Sequence, residues 1–335
     1  MTTTKKVLIL GASGGIGGEV ARQMRAAGWD VHALKRGIGP SAQIRDGITW
    51  VDGDALDGAS VSAAARGATV IVHAVNPPGY RNWSKVVLPM LDNTIAAARS
   101  MRATIVLPGT IYNYGPDAFP TLNESSPQRP RTRKGAIRVA MEERLKDYAA
   151  DGGRVLIVRA GDFFGPKVGN SWFSQGLVKA GRPVTRIYSP GIAGAGHTWS
   201  YVPDVARTLV ELLAKAETLP AFATFHMAGH WDADGSQMIE SIRRVVARRT
   251  GRAPKVSAFP WWVLTVASPF VTLFREMREM RYLWQEPLRM DNTRLLQVLG
   301  REPHTPLESA VETTLRGIGC LSGDRSATLE SCQEP

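Results

Sequence analysis

The sequence predicts an α/β fold, a doubly wound parallel sheet with a smaller, mainly helical C-terminal lobe. Three observations carry that expectation. Short apolar runs alternate with helical patterns from Lys5 to Arg159. A glycine-rich turn joins the first apolar run to the first helical pattern. Past Gly165 the alternation gives way to a loop-like stretch and then to mainly helical patterning.

Taken in order, Lys5–Leu10 reads as a strand and Ile16–Ala27 as a helix that stops at Gly28. Strands follow at Asp30–Leu34, Ile48–Val51 and Thr69–His73, with helices at Ala59–Arg66 and Ser84–Met101. Ala103–Leu107 and Arg154–Arg159 read as two more strands, separated by a helix at Ile137–Ala150. Strand and helix repeated in this way describe a parallel sheet covered on both faces, joined by right-handed crossovers. Residues 166–198 are rich in Gly, Pro and Ser and read as loop. Val202–Ala216 reads as a helix with Pro203 and Asp204 in its first turn, and Ala223–Met227 as one more strand. Residues 1–165 therefore make a first domain to which 196–230 return. Residues 166–195 and 231–320 make the second lobe, and 321–335 a flexible tail.

Composition narrows the class. The 335 residues are 44% hydrophobic and 21% charged, close to the globular average, which excludes disordered, collagen-like and coiled-coil chains. The two cysteines, Cys320 and Cys332, lie near the C-terminal end, so no disulfide framework spans the fold and a reducing, cytoplasmic setting is expected. The apolar run after the basic start stops at Gly11, too short for a signal-peptide core. Val256–Phe274 is uncharged, but Pro260 and Pro269 interrupt it, so it reads as a broken, buried helical segment and no membrane partner is expected. The net charge is +11, and two basic clusters stand out. Arg129, Arg131, Arg133, Lys134 and Arg138 form one. Arg243, Arg244, Arg248, Arg249 and Arg252 form the other, which reads as the solvated face and last turn of a helix. With no zinc-finger spacing and no aromatic RNA-binding motif, nucleic acid is not an expected partner.

The chemistry begins at Gly11-Ala12-Ser13-Gly14-Gly15-Ile16-Gly17, between strand and helix. Gly11 permits the tight turn, Gly14 lets backbone approach a pyrophosphate, and Gly17 lets helix and strand pack closely. Ser13, Gly15 and Ile16 complete the turn, and the free N–H groups of the helix start suit phosphate. This is the Rossmann-type signal for a dinucleotide. At the end of the second strand, Lys35 and Arg36 stand where an acidic residue would hold the ribose of NAD. Two cations suit a 2′-phosphate, so NADP(H) is favoured over NAD(H).

On these residues the chain resembles the extended, epimerase/dehydratase-like branch of the short-chain dehydrogenase/reductase superfamily. Gly53-Asp54-Ala55 resembles the segment whose acidic residue bonds the adenine, and His73-Ala74-Val75 the strand end where backbone approaches the cofactor. Arg159–Pro166 and Trp199–Ala206 are similar to two later signatures of the branch. The resemblance implies an active-site hydroxyl at Thr110 and then a Tyr and a Lys four residues apart. Lys134 and Arg138 occupy the positions of that pair, and no tyrosine of this chain has a lysine four residues later. The resemblance makes Thr110 the residue that orients the substrate oxygen. On physical grounds Lys134, crowded by Arg138 one turn on, reads as proton donor or electrostatic stabiliser and Arg138 as holder of the nicotinamide ribose, the alternative being that both cations only bind phosphate or substrate anions. Tyr112 and Tyr114 are substitute proton donors from the loop. It further implies an oxidoreductase, epimerase or dehydratase acting on a carbonyl or hydroxyl carbon of a small molecule, with nucleotide sugars as one class. The altered pair leaves a non-catalytic NADP(H) sensor as the alternative. The helices at Ser84–Met101 and Ile137–Ala150 are where the superfamily often pairs into homodimers.

The remaining constellations are weaker. His226 and His230 read as structural, since a strand end separates them, and no metal is expected. His73 and His197 border the expected cleft and read as packing or solvated groups. A substrate loop is expected over Gly165–Gly176. Trp261, Trp262, Phe270, Phe274 and Trp284 read as the core of the second lobe.

Overall fold

The structure, a computed structural model, describes residues 5–77, 83–269 and 272–321. The expected tail lies outside the described residues beyond Leu321, as do Phe270 and Cys332.

The first half runs β1 (Lys6–Leu10), α1 (Gly15–Ala26), β2 (Asp30–Lys35), β3 (Gln43–Arg45), β4 (Ile48–Asp52), α2 (Gly58–Ala64), β5 (Ala68–His73) and α3 (Trp83–Met101). It continues through β6 (Thr104–Thr110), β7 (Thr121–Leu122), α4 (Arg133–Ala150) and β8 (Arg154–Ala160). The second half holds β9 (Asp162–Phe164), β10 (Arg186–Ser189), β11 (His197–Tyr201), α5 (Val202–Ala214), β12 (Phe222–His226), β13 (His230–Asp232) and α6 (Gln237–Thr250). It closes with β14 (Lys255–Ala258), α7 (Trp261–Ala267), α8 (Thr272–Glu279), β15 (Arg289–Met290), α9 (Thr293–Leu299) and α10 (Leu307–Gly317).

The main sheet has eight strands in the order β12-β8-β6-β5-β1-β2-β4-β3, all parallel except the edge strand β3. Its strands are apolar on both faces because both faces are covered. Val7 and Ile9 of β1 join a core with Val20 and Met24 of α1 and Val205 and Leu209 of α5. Leu8 and Leu10 face the other way, into a core with Val61 of α2, Leu91 of α3 and Leu145 of α4. β1 pairs β2 on one side and β5 on the other, so the chain leaves its neighbouring strand ends in opposite directions and opens a crevice there.

Beyond β8 the structure departs from the mainly helical expectation. β11 pairs β9 and β13, β10 pairs β14, and β7 pairs β15. These strands are two to five residues long, too short for an alternation to stand out, and their partners lie far apart in sequence. α5 and β12 return to the main sheet, whereas β11 joins the second lobe. That lobe has its own core, in which Phe164, Phe173, Trp199 and Trp284 meet Ile242 of α6 and Val311 of α10. Trp261 packs against it, but Trp262 is 73% exposed and is not part of it. No described helix is long and apolar enough to cross a membrane.

The basic face of α6 is not simply solvated. Arg244 and Arg248 pair with Glu308 of α10 at 2.5 and 3.0 Å, and Arg248 and Arg249 reach Glu312. Hydrogen bonds from Arg249, Arg248 and Arg316 hold the Glu312 carboxyl down to about 2. A lowered carboxyl contributes stability that is complete above its unfolded value and is lost as pH falls toward the folded one. Glu312→Gln is therefore expected to lower the melting temperature modestly at pH ~7, with the difference vanishing between about pH 5 and 2 and shrinking in salt. Paired melting curves across that range check it.

Candidate active site

A cleft of about 780 Å³ runs along the C-terminal ends of β1, β2 and β5. Gly11, Ser13, Gly14, Gly15, Ile16, Lys35, Arg36, Asp54, Ala55, His73, Ala74, Val75 and Arg138 all line it. Gly17 does not. Its role is packing, since a Cβ there would lie 2.4 Å from Gly11 O. Gly11 has φ +93°, and a Cβ on it would lie 2.4 Å from Ala74 O, where the ends of β1 and β5 meet. Gly14 differs from both. It is the N-cap of α1, with φ −86° and no side-chain cap, and a Cβ on it would meet only Gly11 O, at 3.3 Å. The space in front of Gly14 and the uncapped first turn of α1 form a cradle fitted to a pyrophosphate.

His73 supplies a second sign of fit. It is 1% exposed, and burial together with the charge of Arg138 pushes its imidazole down to about 3, so the ring is neutral. Thr94 Oγ1 donates to Met90 O and so accepts from His73 Nδ1–H at 2.8 Å. That fixes Nε2 as an acceptor, and it has no partner among the described residues. A hydroxyl or amide donor of a bound dinucleotide would satisfy it. At the other end of the cleft Lys35 lies 5.7 Å from the Trp50 ring, and Arg36 reaches Asp54 at 3.5 Å. Arg36 remains largely exposed.

A smaller cavity of about 110 Å³ adjoins the cleft, and the two share Asn76, Arg138, Phe163, Asn170 and Gln175. Its floor comes from β6 and the single 3-10 turn Ile111–Asn113 that follows. Thr110 caps that turn, its Oγ1 accepting from Tyr112 N at 3.3 Å, and a hydroxyl that accepts still has a proton to give. α4 begins at Arg133, earlier than its apolar pattern suggests, because Thr132 Oγ1 accepts from Gly135 N at 3.0 Å. A Cβ on Gly135 would lie 2.2 Å from Tyr112 O, so the helix start abuts the turn. Lys134 is thereby buried in the cavity wall at 3% exposure, and Arg138, one turn on, spans both cavities. Asp162, Ser171, Trp172, Met277 and Met280 also line the smaller cavity.

The structure brings Thr110, Tyr112, Lys134 and Arg138 together and separates Tyr114 from them. Tyr114 is fully buried, and its hydroxyl accepts from Arg159 Nη1 and meets His226 Nε2, each at 2.9 Å. It lines neither cavity. Sequence reasoning also missed Asp162, whose carboxylate accepts from the Tyr112 hydroxyl at 3.1 Å. Behind it stands His197, 3% exposed and stacked at 3.9 Å on Trp284. Asp162 lies inside the Arg159–Pro166 signature, but nothing in its spacing marks it as reaching the site. His226 and His230 go separate ways, His226 to Tyr114 and His230 to His304 at 4.4 Å.

Residues 7–228 match the family described as NAD dependent epimerase/dehydratase, and the chain belongs to that enzyme family. Among curated proteins none matches the chain significantly. The fold is similar to that of UDP-glucose 4-epimerase from Brucella ovis, solved with NAD, at 18% identity and TM-score 0.72, covering 95% of this chain and 99% of that one. It is similar to UDP-glucuronic acid 4-epimerase from Bacillus cereus, solved with NAD, at 16% identity and TM-score 0.71, over 93% and 96% of the two chains. It is also similar to MoeE5, solved with UDP-glucose and NAD, at 19% identity and TM-score 0.70, over 93% and 98%.

Proposed function

We propose that the protein is an NADP(H)-preferring oxidoreductase of the epimerase/dehydratase type, acting at a carbonyl or hydroxyl carbon of a small molecule. The observation that supports this most is the continuity of the two cavities, with Arg138 and Asn76 in both walls. A bound nicotinamide dinucleotide supplies a hydride donor or acceptor. Gly11–Ile16 and His73 hold it, with Arg138 at the nicotinamide ribose and Lys35 and Arg36 at the 2′-phosphate. Thr110 orients the substrate oxygen, and Lys134 stabilises negative charge developing there. A protein that only sensed NADPH would have no use for the second cavity.

The cavity of about 110 Å³ has room for the reacting end of a substrate and not for a whole nucleotide. Nucleotide sugars are the first class to test, because the similar structures include complexes with UDP-glucose. The cysteine pattern supports a cytoplasmic setting, and α3 and α4 offer the face for a homodimer. Residues 1–165, with part of 196–230, form the cofactor domain in this reading, and the rest the substrate lobe.

Absorbance at 340 nm on mixing the protein with NADP+ and a panel of UDP-sugars and simple polyols tests the reading. Lys134→Ala is expected to abolish turnover with NADPH binding intact, and unchanged turnover would remove its role. Arg36→Asp is expected to weaken NADPH at least about tenfold, or ~1.4 kcal/mol, and to spare NADH.

A further inference from the structure

We infer that Tyr112, Asp162 and His197 form the proton relay of this site, with Tyr112 as the group that exchanges a proton with the substrate oxygen. The inference rests on the oxidoreductase reading above and assigns the proton step within it. The parallel pairing of β9 with β11 sets Asp162 opposite Trp199, two residues from His197. Tyr112 reaches the same carboxylate from the turn after β6. The Tyr112 hydroxyl donates to Asp162 Oδ1 at 3.1 Å, Asp162 Oδ2 lies 2.9 Å from His197 Nε2, and His197 Nδ1 lies 3.3 Å from Leu283 O.

Leu283 O can only accept, so His197 Nδ1 carries a proton. At 2.9 Å, Nε2 and Oδ2 cannot face each other with two lone pairs, so one further proton lies between them. Whether it sits on nitrogen or oxygen, the pair holds one shared proton and has room for one more. Both residues are about 4% exposed, and His197 is closed off behind Asp162 between Trp284 and Trp199, whose rings lie 3.9 and 5.0 Å away. Tyr282, the other phenol near Asp162, gives its proton to Tyr114 O at 3.2 Å and does not compete.

The Tyr112 hydroxyl gives its proton to Asp162 and lies in the cavity wall, and a phenol oxygen that donates can also accept. The resting arrangement is the one that accepts a proton from a carbinol. In that direction the substrate O–H bond breaks and its proton goes to Tyr112 Oη, while the Tyr112 proton passes to Asp162 Oδ1. A bound oxidised nicotinamide would take up the C–H electron pair as hydride as C=O forms. The released proton rests on the Asp162–His197 pair, and the reverse steps serve carbonyl reduction. Lys134 and Arg138, which line the same cavity, offset the negative charge that develops on oxygen. His197 touches neither substrate nor cofactor and is a positioning residue.

Two arms test this. Proton and nitrogen NMR of the histidine-labelled protein, with no substrate present, is expected to show a far-downfield, exchange-protected proton on His197. Tyr112→Phe should shift that signal and Asp162→Asn should remove it. An unprotonated Nε2 that ignores Asp162→Asn overturns the relay. In the second arm, on any panel carbinol the wild type oxidises with NADP+, Tyr112→Phe and Asp162→Asn are expected to lower kcat by ~10²–10⁴-fold with NADPH affinity unchanged. His197→Gln should lower kcat while leaving KM alone. Wild-type rates in Tyr112→Phe overturn the relay as well. A panel on which the wild type is silent counts against the oxidoreductase reading instead, and the NMR arm still decides whether the pair holds the proton.

Discussion

Gly14→Ala is expected to fold as the wild type does and to bind NADPH at least ~100-fold more weakly, about 2.7 kcal/mol. The backbone at Gly14 has φ −86°, which any residue adopts, and an added methyl would touch only Gly11 O, at 3.3 Å. That methyl would stand in the open space before the first turn of α1, where the pyrophosphate must sit to reach the N–H groups. Losing even one or two charge-assisted hydrogen bonds accounts for the expected penalty. Gly11→Ala makes the contrast. There φ is +93° and the methyl would overlap Ala74 O, so the fold itself is expected to suffer. Urea unfolding combined with NADPH titration separates the two. Unchanged affinity in Gly14→Ala would mean that the cradle does not hold phosphate.

The second large effect concerns the buried pair beneath the site. Glu142→Gln is expected to cost about 3–5 kcal/mol of folding stability, because it strands a charged guanidinium in the interior. Arg159 Nε and Nη2 bond the two Glu142 oxygens at 3.0 and 2.5 Å, with both side chains under 10% exposed. Gln128 adds a bond to Glu142 Oε2 at 3.0 Å and accepts from Asn113 Nδ2 at 3.2 Å. Asn113 ends the turn that carries Tyr112, so the network holds the cavity floor as well as the sheet. Replacing both partners with Met removes the stranded charge and is expected to recover much of the loss. A denaturation midpoint for Glu142→Gln within about 1 kcal/mol of wild type would show that the interior tolerates the lone charge.

How much of this was legible in the sequence depended on whether the signal was local. The strands of the main sheet announce themselves as continuous apolar runs, because both faces of that sheet are covered. The glycine turn is read from seven adjacent residues, and so is the choice of Lys35 and Arg36 at the next strand end. Thr110, Lys134 and Arg138 came from resemblance, and the structure lines one cavity with all three. Tyr112 and Tyr114 were indistinguishable on paper. They are two residues apart on one tight turn, and only the packing of β12 and α4 decides that one faces the cavity and the other the interior. The meeting of Asp162 with His197 was illegible for a different reason. They meet through two short strands whose pairing leaves no periodic trace. The acidic partners of the α6 arginines were likewise hidden, about sixty residues away on α10.

The most direct test of the central claim, that this chain is a nicotinamide-dinucleotide enzyme with NADP(H) preference, is fluorescence titration of the wild type with NADPH and with NADH. The expected result is saturable binding of both, NADPH the tighter, with Gly14→Ala abolishing the signal for each. Binding of neither by a folded protein would contradict the claim, and the oxidoreductase reading would fall with it.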